Sequence, residues 1–455
     1  MSVVTDRKAF EKAAIPILAT DRRKLPKLLE SLAAAERRWA GSAGFEGAPH
    51  THHLVVDAKG ALTRVLAGVR DGDDPWALAS LPLKLPPGRY ALGKGPVGLD
   101  AAKAAFAWDL GSYQFTRYRK AKRKAADLQV EASAAVTEAL QEAQATRLVR
   151  DLVNTPAEDM GPEQLSDAVR EQAELFGAEF DEWIGDELLA QNFPAIHAVG
   201  RASARAPRLI ELRWGKARHP RIAIVGKGVC FDSGGLDIKG AEGMRLMKKD
   251  MGGAAHALAL ARLVMERKLP VNLQLLIPAV ENAISGNAFR PGDVVRTRKG
   301  LTVEIGNTDA EGRVILCDAL AYAAEGNPRT IIDFATLTGA ARVALGPELP
   351  VVYCNDERMA GKLLAASDAV EDPMWRLPLW RNYRRLFDTE IADINNSGRG
   401  GYAGSIVAAL FLEYFVPEEI PWVHFDVFSW NDISRPGRPA GGEAQGLRAT
   451  LAAIS

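Results

Sequence analysis

The chain has 455 residues, more than one hydrophobic core usually serves, so two domains are expected. Hydrophobic residues make up 47% and charged residues 25%, the balance of an ordinary globular protein, which excludes a disordered or collagen-like chain. Lys+Arg and Asp+Glu are both 57, so the whole is no polycation, yet residues 1–130 carry 22 basic against 13 acidic side chains and residues 131–455 offset the surplus.

Cys230, Cys317 and Cys354 are far apart and form no Cys-x-x-Cys, which argues against a disulfide framework and a thiolate zinc site. Cys230 and Cys317 read as small buried apolar residues. The start, Met1–Phe10, is polar with no apolar h-region, and no run of about 18 apolar residues occurs. A soluble, cytoplasmic protein is expected.

In chain order, a helical run around Asp21–Trp39 precedes short strands at Leu54–Val56 and Leu62–Val69. His50, His52 and His53 have no second ligand group nearby in sequence and read as a polar loop or strand edge. A Pro/Gly-rich segment, Pro82–Gly98, leads into another helical stretch and then the basic run 117–124, read as a solvated face with a nucleic-acid contact as its rival. Ala126–Val153 is predicted as one long helix ending at Asn154-Thr155-Pro156, a connector between a variable α/β domain (1–125) and a catalytic domain (154–455). Candidate strands follow at Arg208–Arg213, Arg221–Val225, Val271–Ile277, Thr330–Ala335 and Val423–Phe428, with helices such as Gly253–Glu266 and Ile406–Phe415 between them. This alternation predicts an α/β fold with a mostly parallel mixed sheet covered by helices on both faces.

The chemistry concentrates in a few places. Residues 307–313 read Asn-Thr-Asp-Ala-Glu-Gly-Arg, between an extended apolar run (Leu301–Ile305) and a helical one (Val314–Ala324). Asp309, Glu311 and Arg313 share a side only if the chain is extended or turning there. Such carboxylates repel unless a cation lies between them. A second cluster, residues 226–235, follows the strand Arg221–Val225 and holds Lys227 and Asp232; it fits neither a phosphate loop nor a dinucleotide fingerprint. Lys239 and Asp250 follow, the latter before a helix start. Asp232, Asp250, Asp309 and Glu311 carry a charge of about −4, which two divalent ions would cancel. Two metals about 3.5–4 Å apart can activate water and polarise a carbonyl, leaving Lys239 and Arg313 as spare charges for a developing oxyanion.

Four segments then resemble the leucine aminopeptidase (cytosol aminopeptidase) family, in the family's order and spacing over roughly residues 150–450. They are Val225–Gly235, Asp250–Ala255, Asn307–Arg313 and Ala335–Ala340; Val153–Pro156 also resembles the family's entry into its catalytic domain. No motif of the N-terminal third is matched. The resemblance implies a leucyl aminopeptidase that removes leucine and other mainly apolar residues from the N-termini of peptides. Lys227, Asp232, Asp250 and Glu311 would hold one metal; Asp232, Asp309 and Glu311 the other, Mn²⁺ or Zn²⁺. A hydroxide held between the metals would attack the scissile carbonyl, with Lys239 stabilising the oxyanion and Arg313 seating a bicarbonate that relays the proton. As a ligand Lys227 must be neutral, a fall of at least about three units from ~10.4, or roughly 4 kcal/mol, which a metal's charge can offset. Asn307, Thr336, Leu337 and Gly339 match substrate-contacting positions, and Met247 matches a residue of the pocket for the first side chain. A homohexamer, a dimer of trimers, is implied as well.

The region Phe425–Gly442, with Trp430-Asn431 and Arg435–Pro439, departs from the smaller, more apolar segment of many relatives, which bears on side-chain preference. Two rival readings follow from the residues. Carboxylates with lysine also serve two-metal phosphoesterases, and the basic N-terminal part could bind nucleic acid, alone or alongside peptidase activity.

Overall fold

Short β-branched runs that are buried on both faces form parallel strands only where helices cover them, and the chain meets that condition twice. The computed structural model describes residues 2–5 and 14–455, so most of the polar start Met1–Phe10 lies outside the described residues. Two compact units divide it: Met1–Arg147 with Ile433–Ala440, and Leu148–Asp432 with Gly441–Ser455. No helix among the described residues is long and apolar enough to cross a membrane.

The first unit holds a six-stranded sheet in the order Val3–Val4, Asp127–Gln129, Arg89–Leu92, Ile15–Thr20, Leu62–Gly68, His52–Val56. Every pairing is parallel except the last. Trp108, on the helix Ala101–Gly111, is fully buried and donates its indole N–H to the Ala126 carbonyl at 2.8 Å. His52 and His53 lie on the edge strand, and the 117–124 run is exposed apart from its anchors. Gln114 accepts from the Lys122 amide, and Arg123 reaches the Leu85 carbonyl. Arg435–Pro439 belongs to this unit, with the Arg438 guanidinium 4.1 Å from the centroid of the Trp76 ring.

Two helix expectations need correction here. The run Asp21–Trp39 is two helices, Leu25–Glu30 and Ala34–Ser42. Ser31 Oγ binds back to the Leu28 carbonyl and closes the first; Glu36 accepts the Ala33 amide and opens the second. The helix expected from Ala126 begins at Ala134. Residues Asp127–Gln129 are instead a strand between Val3–Val4 and Arg89–Leu92, and Ser133 Oγ accepts the Val136 amide where the helix starts. A three-residue strand is too short to show a period of two, so tertiary pairing decides it.

In the second unit the main sheet runs Trp375–Arg376, Val351–Cys354, Trp422–Asp426, Thr330–Ala335, Arg221–Gly226, Asn272–Asn282, Arg208–Gly215, Glu179–Ile184; Gly228–Asp232 pairs with the far half of Asn272–Asn282. The central pairings are parallel and three near the edges antiparallel. Helix Gly252–Glu266 packs against the sheet's middle so closely that a Cβ on Gly253 would lie 2.2 Å from the Phe334 carbonyl oxygen. On the other side, helix Glu311–Glu325 shares one hydrophobic cluster with Pro194–Gly200 and Gly404–Glu413, and Cys317 is buried in it.

His256 lies wholly inside the Gly252–Glu266 helix. Its Nδ1 bonds the Gly252 carbonyl at 2.7 Å and its Nε2 accepts the Gln445 amide at 2.9 Å, which fixes the neutral ring. Burial therefore lowers its pKa from 6.5 to about 4. The unfolded chain takes up this proton first, so stability is full above pH 6.5 and falls as pH drops toward 4. The loss approaches about 3 kcal/mol. The urea midpoint should fall over that range, and fall less in His256→Gln; equal slopes for both proteins would contradict this.

Candidate metal centre

Parallel strands end on one edge of the sheet, and five segments deliver polar groups there. Lys227 follows Arg221–Gly226, Asp232 ends Gly228–Asp232, and Thr336 and Leu337 follow Thr330–Ala335. Asp250 follows the 3₁₀ turn Met247–Lys249 and precedes the helix Gly252–Glu266. The Asn307–Arg313 heptad supplies the rest, but its course differs from expectation. Asn307 accepts the Asp309 amide, Thr308–Ala310 is a 3₁₀ turn, and the helix already begins at Glu311. Glu311 and Arg313 therefore stand in helical rather than extended spacing. The strand before them, Thr302–Glu304, belongs to a separate three-stranded sheet.

The carboxylates nevertheless converge. One oxygen each from Asp232, Asp309 and Glu311 lie within 4.8 Å of one another. Lys227 Nζ donates to Asp250 Oδ2 at 2.7 Å and to the Thr336 carbonyl at 2.9 Å, and lies 3.1 Å from Glu311 Oε1. Its stem crosses Gly312, where a Cβ would sit 2.4 Å from Lys227 Cε. Lys239 Nζ bridges Asp232 Oδ2, at 2.7 Å, and Asp309 Oδ1. The two lysines expected as a ligand and a spare charge are thus each held by a pair of carboxylates. Arg313 is apart from the cluster: its Nη1 donates to the Asn396 carbonyl at 2.7 Å.

The charges explain one another. Burial alone would lower Lys227, but Asp250, Glu311 and Asp232 outweigh it and hold the ammonium well above its usual range. Lys239 is likewise held up against burial, by Asp232 and Glu311. Burial and the charge of Asp232 push Glu311 up to about 8; burial raises Asp250 and Asp309 as well. Arg313 is lowered by burial to about 10 and stays charged at neutral pH. Burial takes Lys249 down to about 8, still an ammonium at pH 7. Carboxylates that resist ionisation together, with Glu311 Oε2 buried and lacking a hydrogen-bond partner, are the donor set a hard divalent cation fits.

The substrate-matched positions surround this set. Thr336 Oγ1 donates to Asp250 Oδ1 at 2.8 Å, Leu337 N donates to Asp426, and Gly339 opens the helix Gly339–Leu345 on the exposed side. Met247, half-buried, opens the turn that carries Asp250. Cys230 is buried, with its Sγ toward the Gly228 carbonyl.

Three positioning residues escaped the sequence reading. Asn282 Nδ2 donates to Asp232 Oδ1 and to the Thr308 carbonyl. Asp426 accepts from the Leu337 and Thr338 amides and from the Thr338 and Ser405 hydroxyls. Asn396, with no exposed surface, accepts the Gly306 and Asn307 amides and donates to the Asn307 and Ala310 carbonyls. Asp426 ends a buried apolar strand, a visible signal; Asn396 sits among Asn395, Ser397 and Gly398 and gave none. Asn396→Ala would strand four backbone groups, so we expect a loss of about 3–5 kcal/mol in urea unfolding. A loss below about 1 kcal/mol would refute the bracing role.

The catalytic-domain profile of the cytosol aminopeptidase family matches residues 147–451, and the N-terminal-domain profile of the M17 aminopeptidases matches residues 15–131. The chain belongs to the cytosol aminopeptidase family. It is therefore a metallo-exopeptidase hydrolase, a metal-dependent aminopeptidase. The N-terminal third, where no motif was recognised, matches the family too. A probable cytosol aminopeptidase of Syntrophotalea carbinolica is 40% identical over 380 residues, covering 79% of this chain and 76% of that protein. A crystal structure of cytosol aminopeptidase from Coxiella burnetii is 49% identical, with a TM-score of 0.95 over 100% of this chain and 98% of that one. The bottromycin maturation enzyme BotP, solved in complex with Mn, is 31% identical with a TM-score of 0.85, covering 97% of this chain and 99% of that one.

Proposed function

We propose that the chain removes the N-terminal residue from peptides at a two-metal centre held by Lys227, Asp232, Asp250, Asp309 and Glu311. The observation that carries this reading is the convergence of three carboxylate oxygens within 4.8 Å, beside a fourth carboxylate on Lys227. Bound divalent ions supply Lewis acidity toward the scissile carbonyl and make water a nucleophile at neutral pH. The chain's own groups do the remainder. With Asp232 and Asp309 engaged as metal ligands, Lys239 would be released from them to donate to an oxygen that turns anionic. Arg313, charged and anchored through Asn396, offers an anion seat that suits bicarbonate. Lys227 can join a metal only by giving up the proton that Asp250 and Glu311 now stabilise. By resemblance to the family, Asn307, Thr336, Leu337 and Gly339 would contact the substrate, and Met247 its first side chain.

Leucine and other apolar first residues are the reference substrates, Mn²⁺ or Zn²⁺ the proposed ions, a homohexamer the proposed assembly, and the cytoplasm the proposed location; the relatives' name supports the location and the Mn complex of BotP the choice of Mn²⁺, while the leucine preference and the hexamer rest on the family resemblance alone. The test is metal-free protein reconstituted with Mn²⁺, Zn²⁺ or Co²⁺ and assayed on a panel of aminoacyl amides. Hydrolysis of leucine amide that scales with two bound ions is expected. Cleavage of a phosphate ester or DNA with no amide hydrolysis would reverse the assignment.

A further inference from the structure

Among the described residues, two cations beside the metal centre form no ion pair with a carboxylate. Lys249 is only 6% exposed, and among the described residues no carboxylate lies within 4.0 Å of its ammonium. Its Nζ rests instead 5.0 Å from the centroid of the Phe428 ring. Arg342, on the helix that Gly339 opens, places its guanidinium 4.7 Å from the same centroid, also without a carboxylate partner among the described residues.

A ring quadrupole attracts the Lys249 ammonium only weakly, far less than it loses on leaving water, whereas Arg342 is exposed and keeps its solvent. The acids nearest Lys249 cannot make up the difference. Asp250 is taken by Lys227 and Thr336, and both oxygens of Asp426 are filled by the loop 337–338, Thr338 and Ser405. A buried ammonium and an exposed guanidinium thus share one aromatic ring, a positive, partly apolar site whose missing component is an anion. Its place in the fold says which anion. Lys249 closes the turn that Met247 opens and adjoins Asp250, while Arg342 lies three residues beyond Gly339.

We propose that the pocket for the first side chain reads a carboxylate, so that peptides beginning with glutamate or aspartate are substrates along with apolar ones. Lys249 and Arg342 bind the acid, and the Phe428 ring carries the methylene groups. This rests on the aminopeptidase reading and adds a substrate class to it. The test compares glutamyl, glutaminyl and leucyl p-nitroanilides with the Mn²⁺-loaded enzyme. These substrates have no C-terminal carboxylate, and a Leu-Gly dipeptide arm measures what a carboxylate at that end contributes. Wild type should favour glutamyl over glutaminyl by at least about tenfold in kcat/KM, and Lys249→Met or Arg342→Met should each cut that ratio several-fold. Calorimetry should show free glutamate binding more tightly than glutamine, in wild type only. A glutamyl preference absent from wild type, or one that survives both substitutions, overturns the proposal, as does an acid effect confined to the dipeptide's C-terminus. Failure to hydrolyse any anilide would count against the aminopeptidase reading instead, with the glutamate titration still deciding whether Lys249 and Arg342 bind an acid.

Discussion

Lys239→Ala lowers turnover of leucine amide by about two to three orders of magnitude, the scale of losing one oxyanion partner, while the metal content stays at the wild-type level. The two outcomes separate because of where the ammonium sits. Lys239 bridges Asp232 and Asp309, so its removal leaves two facing carboxylates with less positive charge between them. Their repulsion then favours cations more strongly than in the wild type. A deficit in kcat with undiminished metal binding is the signature, read by steady-state kinetics beside elemental analysis of dialysed protein. Wild-type turnover in this variant would remove Lys239 from the chemistry.

Asp232→Asn has the opposite signature and a larger effect. Asp232 Oδ1 accepts the Gly234 amide and Asn282 Nδ2, and an asparagine oxygen can keep both bonds. What it loses is the charge in the middle of the cluster, the one that acts on Glu311, Asp309 and Lys239 alike. Metal should be lost first. Several kcal/mol of transition-state stabilisation goes with it, about three to four decades of rate at 1.36 kcal/mol per decade. Equilibrium dialysis against Mn²⁺ checks the first step; two ions retained at wild-type affinity would show that Asp232 is no ligand.

The residues carrying charge were readable because their types are costly anywhere else. Lys227, Asp232, Lys239, Asp250, Asp309 and Glu311 stand among glycines and apolar runs, where an unpaired charge would have no business. Their partners were not readable. Asn396 meets the heptad across about 90 residues of chain, and Asp426 meets the loop 337–338 across a similar distance. Only the folded sheet and its satellite strands bring such pairs together. The start of the helix at Glu311 was hidden for a related reason. Its first turn is set by Asn396 and by the Lys227 stem over Gly312, neither of which is local. In the first unit the strand Asp127–Gln129 is likewise made by its neighbours on either side.

The clamp that Asn396 applies to the heptad also sets when the protein can begin to act. Every side chain proposed to touch a metal lies before residue 312, whereas the asparagine that braces Gly306, Asn307 and Ala310 comes at 396 and the carboxylate that braces the substrate loop at 426. A ribosome delivers them in that order. The growing chain therefore carries its complete set of metal-binding side chains from Glu311 to Asn396, about a fifth of its length, without the parts that hold them in place, and the site of a hydrolase that cuts free N-termini is not fully braced until residue 426 has been added.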